Sequence, residues 1–136
     1  MGHDMNRLKQ LEQLGQSVWL DFLSRDMIRR GGTKEAIEKD GIGGETSNPA
    51  IFQKALAEGD AYDEDIKKYV DQGLDVGTIF RKLSIKDIQD SADAFRPVYD
   101  RTKGADGFIS IEVSPYIAHE TQMSIDEARS LWKEID

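Results

Sequence analysis

A chain of 136 residues with 38% apolar and 32% charged side chains is long enough for one domain with a hydrophobic core and too short for two. Its formal net charge of −8 argues against a nucleic-acid partner, while leaving room for a local basic pocket that takes an anionic small molecule. No apolar run approaches the length that spans a bilayer, the N-terminus lacks the regions of a secretory signal, and no cysteine is present to staple an extracellular fold; no membrane partner and a cytoplasmic location are expected. Residues 1–4 are expected to be a tag or a disordered start, and the domain to run from 5 to 136.

The leucines Leu8, Leu11 and Leu14 recur among polar neighbours and predict an amphipathic helix from Met5 to Gly15. Ser17–Phe22 predicts a strand with Val18, Leu20 and Phe22 on one face and Ser17, Trp19 and Asp21 on the other. Ser24 is expected to cap a helix ending at Gly31-Gly32, and Thr33 to cap a further turn ending at Gly41. A second strand is predicted over Ile42–Ser47. From Ala50 to Lys103 the pattern is helical: one helix carries Ile51, Phe52, Ala55 and Leu56, a second Ile66, Tyr69 and Val70, a third Val76, Ile79, Phe80 and Leu83. Ser84 reads as the cap of another, with Ile85, Ile88, Ala92 and Phe95 inward, Tyr99 continuing that face, and Pro97 ending or kinking it. After a turn at 104–107, Phe108–Pro115 predicts a strand with Ile109, Ile111 and Val113 on its apolar face and Ser110, Glu112 and Ser114 on its polar face. Ser124-Ile125-Asp126-Glu127 is a capping box, opening a helix with Ile125, Ala128, Leu131, Trp132 and Ile135 inward. Strands separated by helices favour right-handed crossovers and a parallel sheet. The expected fold is therefore α/β and helix-rich, with about three of the eight strands of a (β/α)8 barrel, truncated before the fourth.

Chemistry concentrates where strands hand over to helices. In Gly43–Phe52 the paired glycines allow close backbone approach and Pro49 suits a first helical position, while Thr46, Ser47 and Asn48 put three polar side chains at the switch. An ordinary helix cap would explain this stretch alone. Asp21 and Glu112 each fall near the end of a predicted strand within an apolar run, where an unpaired charge is costly; a structural ion pair would explain either one alone. Two carboxylates and an Asn at three successive strand ends favour a site with proton-transfer carboxylates. Arg29-Arg30 and Lys67-Lys68 read as solvated helix faces. His3 reads as a tag remnant or disordered end, and His119, with no spaced companion, does not suggest a metal site. No Walker or dinucleotide-binding motif occurs.

Three stretches, Val18-Trp19-Leu20-Asp21-Phe22, Glu45-Thr46-Ser47-Asn48-Pro49 and Ser110-Ile111-Glu112-Val113-Ser114-Pro115, resemble the first three barrel strands of the transaldolases. The resemblance runs from about Gln16 to Asp136 and is closest to the longer bacterial subfamily, with Asp100-Arg101-Thr102 and Glu127-Ala128-Arg129 in keeping. It implies a (β/α)8 enzyme of the pentose phosphate pathway. Such an enzyme moves a dihydroxyacetone unit from a ketose phosphate, sedoheptulose 7-phosphate or fructose 6-phosphate, to an aldose phosphate through a lysine Schiff base, with no metal or organic cofactor. By the same resemblance Asp21 is the general acid/base, Glu112 activates the water used in forming and hydrolysing the Schiff base, and Thr46 and Asn48 hold the dihydroxyacetone part. The family's nucleophile is a lysine at the end of the fourth strand, expected after Asp136, and the ten lysines of the chain all fall in predicted helices or turns. The 136 residues alone are therefore expected to be inactive. The alternatives are a non-catalytic truncated barrel that self-associates through exposed sheet edges or pairs with a complementary fragment, and another Schiff-base aldolase.

Overall fold

A computed structural model describes residues 6–136. Its centre is a sheet of three short parallel strands, β1 (Trp19–Leu20), β2 (Gly44–Glu45) and β3 (Phe108–Ile109), in the order β1-β2-β3. Trp19 stands opposite Gly44 and Gly44 opposite Phe108; Leu20 stands opposite Glu45 and Glu45 opposite Ile109. Single main-chain bonds carry the pairing further on both sides: Gly43 N to Val18 O (2.8 Å), Thr46 N to Leu20 O (2.9 Å), Gly107 N to Gly43 O (2.8 Å) and Ser110 N to Glu45 O (3.0 Å). The strands are shorter than predicted, and β2 sets the limit. Asn48 accepts a hydrogen bond from Ile51 N through its side chain and caps a helix, so β3 has no ladder partner beyond Ser110.

The helices are α1 (Arg7–Gln13), α2 (Arg25–Arg29), α3 (Gly32–Glu35, running on as a π-turn over Ala36–Asp40), α4 (Pro49–Ala57), α5 (Asp63–Asp71), α6 (Val76–Thr102) and α7 (Thr121–Ile135), with a 3₁₀ turn at Pro115–Ile117. The middle of the assembly is α6, which packs against α2, α3, α5, α7 and β3. Three apolar clusters run along it. Leu83 and Ile79 meet Ala55 and Tyr62; Ile88 meets Leu23 and Phe52; Phe95 and Val98 meet Ile42, with Val18, Leu20 and Leu8 packed behind. Ile109 and Ile111 face the same clusters. Alternation along the strands therefore leaves Trp19, Asp21, Gly44, Thr46, Phe108, Ser110 and Glu112 on the opposite face, the interior of a barrel. The helix-rich α/β architecture and parallel sheet expected from the sequence are observed.

Several expectations are corrected. Ser84 is no cap: it is buried inside α6, where its hydroxyl donates to Phe80 O at 2.9 Å, the i−4 back-bond that lets a serine sit in a helix interior. Pro97 does not end the helix, which runs five residues further to Thr102. Tyr99 does not continue the inner face; it is 40% exposed and packs edge-on to Phe108. Thr33 caps nothing and is buried within α3. The box at Ser124 is displaced, since α7 already begins at Thr121 and the Ser124 hydroxyl donates to Ile117 O. On α7 the packed residues are Leu131 and Ile135, whereas Ala128 is exposed, as are Ile125 (40%) and Trp132 (83%). The helix carries apolar residues on more than one face, and periodicity cannot choose between them. Residues 1–4 lie outside the described residues.

One buried polar network escaped the sequence. Arg25, 3% exposed, donates from Nε to Asp87 Oδ1 (2.7 Å) and from Nη1 to Asp65 Oδ2 (2.7 Å). Tyr62 donates to Asp87 Oδ2 (2.7 Å), accepts from Arg25 N (3.1 Å), and lies under the guanidinium at 4.4 Å. Burial pushes the Asp87 carboxyl upward against the pull of Tyr62 and Arg25, and burial likewise raises the Tyr62 phenol. The network ties α2, α5 and α6 into one block.

Candidate active site

The interior face of the sheet begins with Trp19, whose ring crosses the place where a side chain at position 44 would stand: a Cβ added to Gly44 would lie 2.6 Å from both the indole and Phe108 O. The indole N–H donates to Ser17 Oγ (2.8 Å) and Asp106 Oδ1 (3.0 Å), which fixes the ring at the N-terminal end of the strands. Two residues after Trp19, just past the C-terminal end of β1, stands Asp21. The Thr46 hydroxyl, just past β2, donates to Asp21 Oδ1 at 2.6 Å. The parallel register, with Leu20 opposite Glu45, creates this pairing by bringing the residues after them side by side.

Asn48 and Glu112 line a common cleft of about 860 Å³ together with Phe52, Phe80, Arg81 and Glu127. Asp21 and Thr46 lie outside its lining. Asn48 does two jobs, because its Oδ1 is committed to the Ile51 N–H at the start of α4 (2.9 Å) while its residue borders the cleft. Beyond the ladder β2 and β3 are laced by a serine pair: Ser47 Oγ donates to Ser110 O (2.6 Å), and Ser110 Oγ accepts from Ser47 N (3.3 Å). The structure thus joins Asp21 to Thr46 directly, and brings Asn48 and Glu112 to one cleft. Both carboxylates are exposed, so the desolvation that the apolar runs suggested for them is not present.

The charge buried in β2 is a different one. Glu45 is 0% exposed, with Oε2 accepting from Ser91 Oγ on α6 at 2.5 Å. Oε1 of Glu45 and Oγ1 of Thr33 are buried without a hydrogen-bond partner. Burial pushes this carboxyl above the usual carboxylate range, and the hydrogen bond from Ser91 only partly opposes it. Sequence reasoning passed over Glu45, although the alternation that turns Thr46 toward Asp21 must turn Glu45 toward the helices. Ser110 was assigned to the polar face without a role; its hydrogen bonds with Ser47 depend on register, which no local pattern encodes.

Among the described residues no cluster of three or more His, Cys, Asp or Glu could hold a metal ion, and no helix is long and apolar enough to cross a membrane.

Residues 18–136 match the family model described as Transaldolase/Fructose-6-phosphate aldolase. The chain is 47% identical over 130 residues to Transaldolase 2 of Nostoc punctiforme, covering 96% of the chain and 34% of that protein. It is 51% identical over 123 residues to a transaldolase of Trichodesmium erythraeum (90% and 32%), and 41% identical over 136 residues to one of Mycobacterium ulcerans (100% and 36%). The chain therefore spans about a third of the length of these curated relatives.

Proposed function

Because the chain belongs to the transaldolase/fructose-6-phosphate aldolase family, we propose that it forms the first part of a transaldolase active site. The reaction is transfer of a dihydroxyacetone unit from a ketose phosphate to an aldose phosphate through a lysine Schiff base. The observation that carries this reading is the Thr46–Asp21 hydrogen bond at the C-terminal ends of adjoining parallel strands, the end at which barrel enzymes do their chemistry. Thr46 occupies one carboxylate oxygen and fixes the plane of the group, so that the other oxygen can take the substrate hydroxyl proton as the carbon–carbon bond breaks and return it when the bond forms. Glu112 activates the water consumed and released at the Schiff base, and the Asn48 amide hydrogen-bonds the dihydroxyacetone hydroxyls. Cytoplasmic residence and the absence of any cofactor belong to the same reading.

The amine must come from outside these residues. None of the ten lysines in the sequence stands on a strand or lines the cleft, and a neutral amine at ordinary pH needs a desolvated lysine. The 136 residues alone are inactive in this reading. Borohydride trapping with fructose 6-phosphate tests both halves: a polypeptide as long as the relatives forms a covalent sugar adduct, and the 136-residue chain forms none. A lysine adduct on the short chain would overturn the assignment of roles.

A second reading is favoured by the exposed barrel face. Trp19 is 37% and Phe108 45% exposed, and β1 and β3 each have one neighbour among the described residues, so the sheet has open edges for self-association or for a complementary fragment. Light scattering separates the cases: dimers or larger assemblies favour an open half-barrel that self-associates, and a monomer excludes it.

A further inference from the structure

We infer that Glu127 is a positioning residue for Glu112, acting through the main chain of Ser114; the inference rests on the reading of Glu112 given above. Past Ser110 the strand leaves the ladder, so Glu112 stands on a segment that β2 no longer holds. On its near side the segment is fixed by Ser47 Oγ bonded to Ser110 O at 2.6 Å, and by Ile111 in the core beside Phe52 and Ile88. On its far side, two residues beyond Glu112, Ser114 N donates to Glu127 Oε2 at 3.0 Å.

Glu127 is itself held. Its Oε1 lies 3.5 Å from Arg81 Nη1 on α6, and Arg81 is fixed in turn by Glu134 Oε1 from Nη2 (2.7 Å), by Glu134 Oε2 from Nε (3.1 Å) and by Ser130 Oγ (2.9 Å). Glu127 and Arg81 are 24% and 29% exposed, and both line the cleft that Glu112 and Asn48 border. One carboxylate thus joins α6, α7 and the segment carrying Glu112. A hydrogen bond to an ionised acceptor is among the stronger ones a main-chain N–H can make. The sequence reading placed Glu127 in a capping box, where its target would be the N–H of Ser124; in the structure its target is the N–H of Ser114.

The test uses three substitutions in the 136-residue chain. Glu127→Gln keeps an acceptor for the Ser114 N–H and removes the charge facing Arg81. Glu127→Ala removes both. Ser114→Pro deletes the N–H, at a backbone φ of −54° that proline accepts, together with the hydroxyl that accepts from Tyr116 N. Amide exchange at Ser114 and NMR shifts of the Glu112 side chain are the readouts. Glu127→Ala is expected to speed Ser114 exchange about tenfold or more, the loss of one charge-assisted bond, and to move the Glu112 signals. Ser114→Pro moves the Glu112 signals likewise while its Arg81 and Glu134 signals stay in place, and Glu127→Gln, which keeps a neutral acceptor, leaves both readouts between those of Glu127→Ala and the wild type. Unchanged Ser114 exchange in Glu127→Ala would overturn the inference. So would Glu112 signals that ignore Ser114→Pro, the variant that remains decisive if Glu127→Ala does not fold. A relative-length polypeptide that fails to form the sugar adduct would remove the functional reading and leave this main-chain clamp standing.

Discussion

Thr46 and Asp21 are 25 residues apart in sequence and 2.6 Å apart in space, joined by a hydroxyl-to-carboxylate bond that exists because β1 and β2 run parallel with Leu20 opposite Glu45. Asp21 is exposed and Thr46 only partly buried, so the bond contributes little to stability. Its value is orientation. In a polypeptide with the remaining strands, Thr46→Val should lower kcat about 10- to 100-fold with a small change in KM, the scale for losing a residue that orients a functional group. In the short chain the same substitution should leave the urea midpoint nearly unchanged. Steady-state kinetics and denaturation together check this, and a large stability loss with intact kcat would contradict it.

Arg25 carries the opposite balance. Its guanidinium and Asp87 are almost completely removed from water, and removing one partner leaves the other charge buried. Arg25→Ala should cost about 3–5 kcal/mol, and Tyr62→Phe, which removes a hydroxyl bonded to Asp87 and to the Arg25 N–H, about 1–3 kcal/mol. Urea unfolding followed by circular dichroism reads both, with Arg25→Ala the more damaging.

Glu45 makes stability depend on pH in a defined sense. Its folded carboxyl is raised by burial above the ordinary value of 4.5, so the folded state holds the proton more tightly than the unfolded one. The stabilisation is complete below the unfolded value and is lost as pH rises through the folded value. Glu45→Gln, neutral at every pH, should flatten that loss. The difference in unfolding free energy between variant and wild type, measured from pH 4 upward, should therefore move in favour of the variant as pH rises. A constant difference would show that Glu45 ionises alike in both states.

Gly44 is a packing constraint. A methyl group there would meet the Trp19 ring and Phe108 O at 2.6 Å, closer than any relaxed contact. Gly44→Ala should cost about 1–3 kcal/mol by overpacking and lower the thermal midpoint. Pairing it with Trp19→Phe should recover part of the loss, since the smaller ring frees the space on one side.

The faces of the strands were legible because alternation and strand direction are written locally. Asp21 shares the face of Trp19, and Glu112 that of Ser110, as period two requires. The parallel sheet followed from the helices between strands. Ser84 misled because a serine before an apolar run reads the same as a cap or as a buried back-bonding residue, and only the partner at Phe80 distinguishes them. Trp132 and Ile125 misled because α7 has more apolar residues than its seam uses. The Thr46–Asp21 bond, the serine pair at 47 and 110, and the Arg25 network were beyond reach, since each depends on which distant segments become neighbours. Glu127 belongs with them: its spacing from Ser124 was real, and its bond partner lay elsewhere.

The crossing of Trp19 over Gly44 also turns the molecule into its own reporter. Trp19 is held by Ser17 and Asp106 against the glycine of the middle strand, whereas the other tryptophan, Trp132, is 83% exposed on α7. Replacing Trp132 by Phe leaves a single tryptophan, selectively excited apart from the tyrosines, whose emission colour depends on β1 lying beside β2. Light emitted from that one ring would then follow the docking of the first two strands in real time, and would shift again if further chain closed over the barrel face.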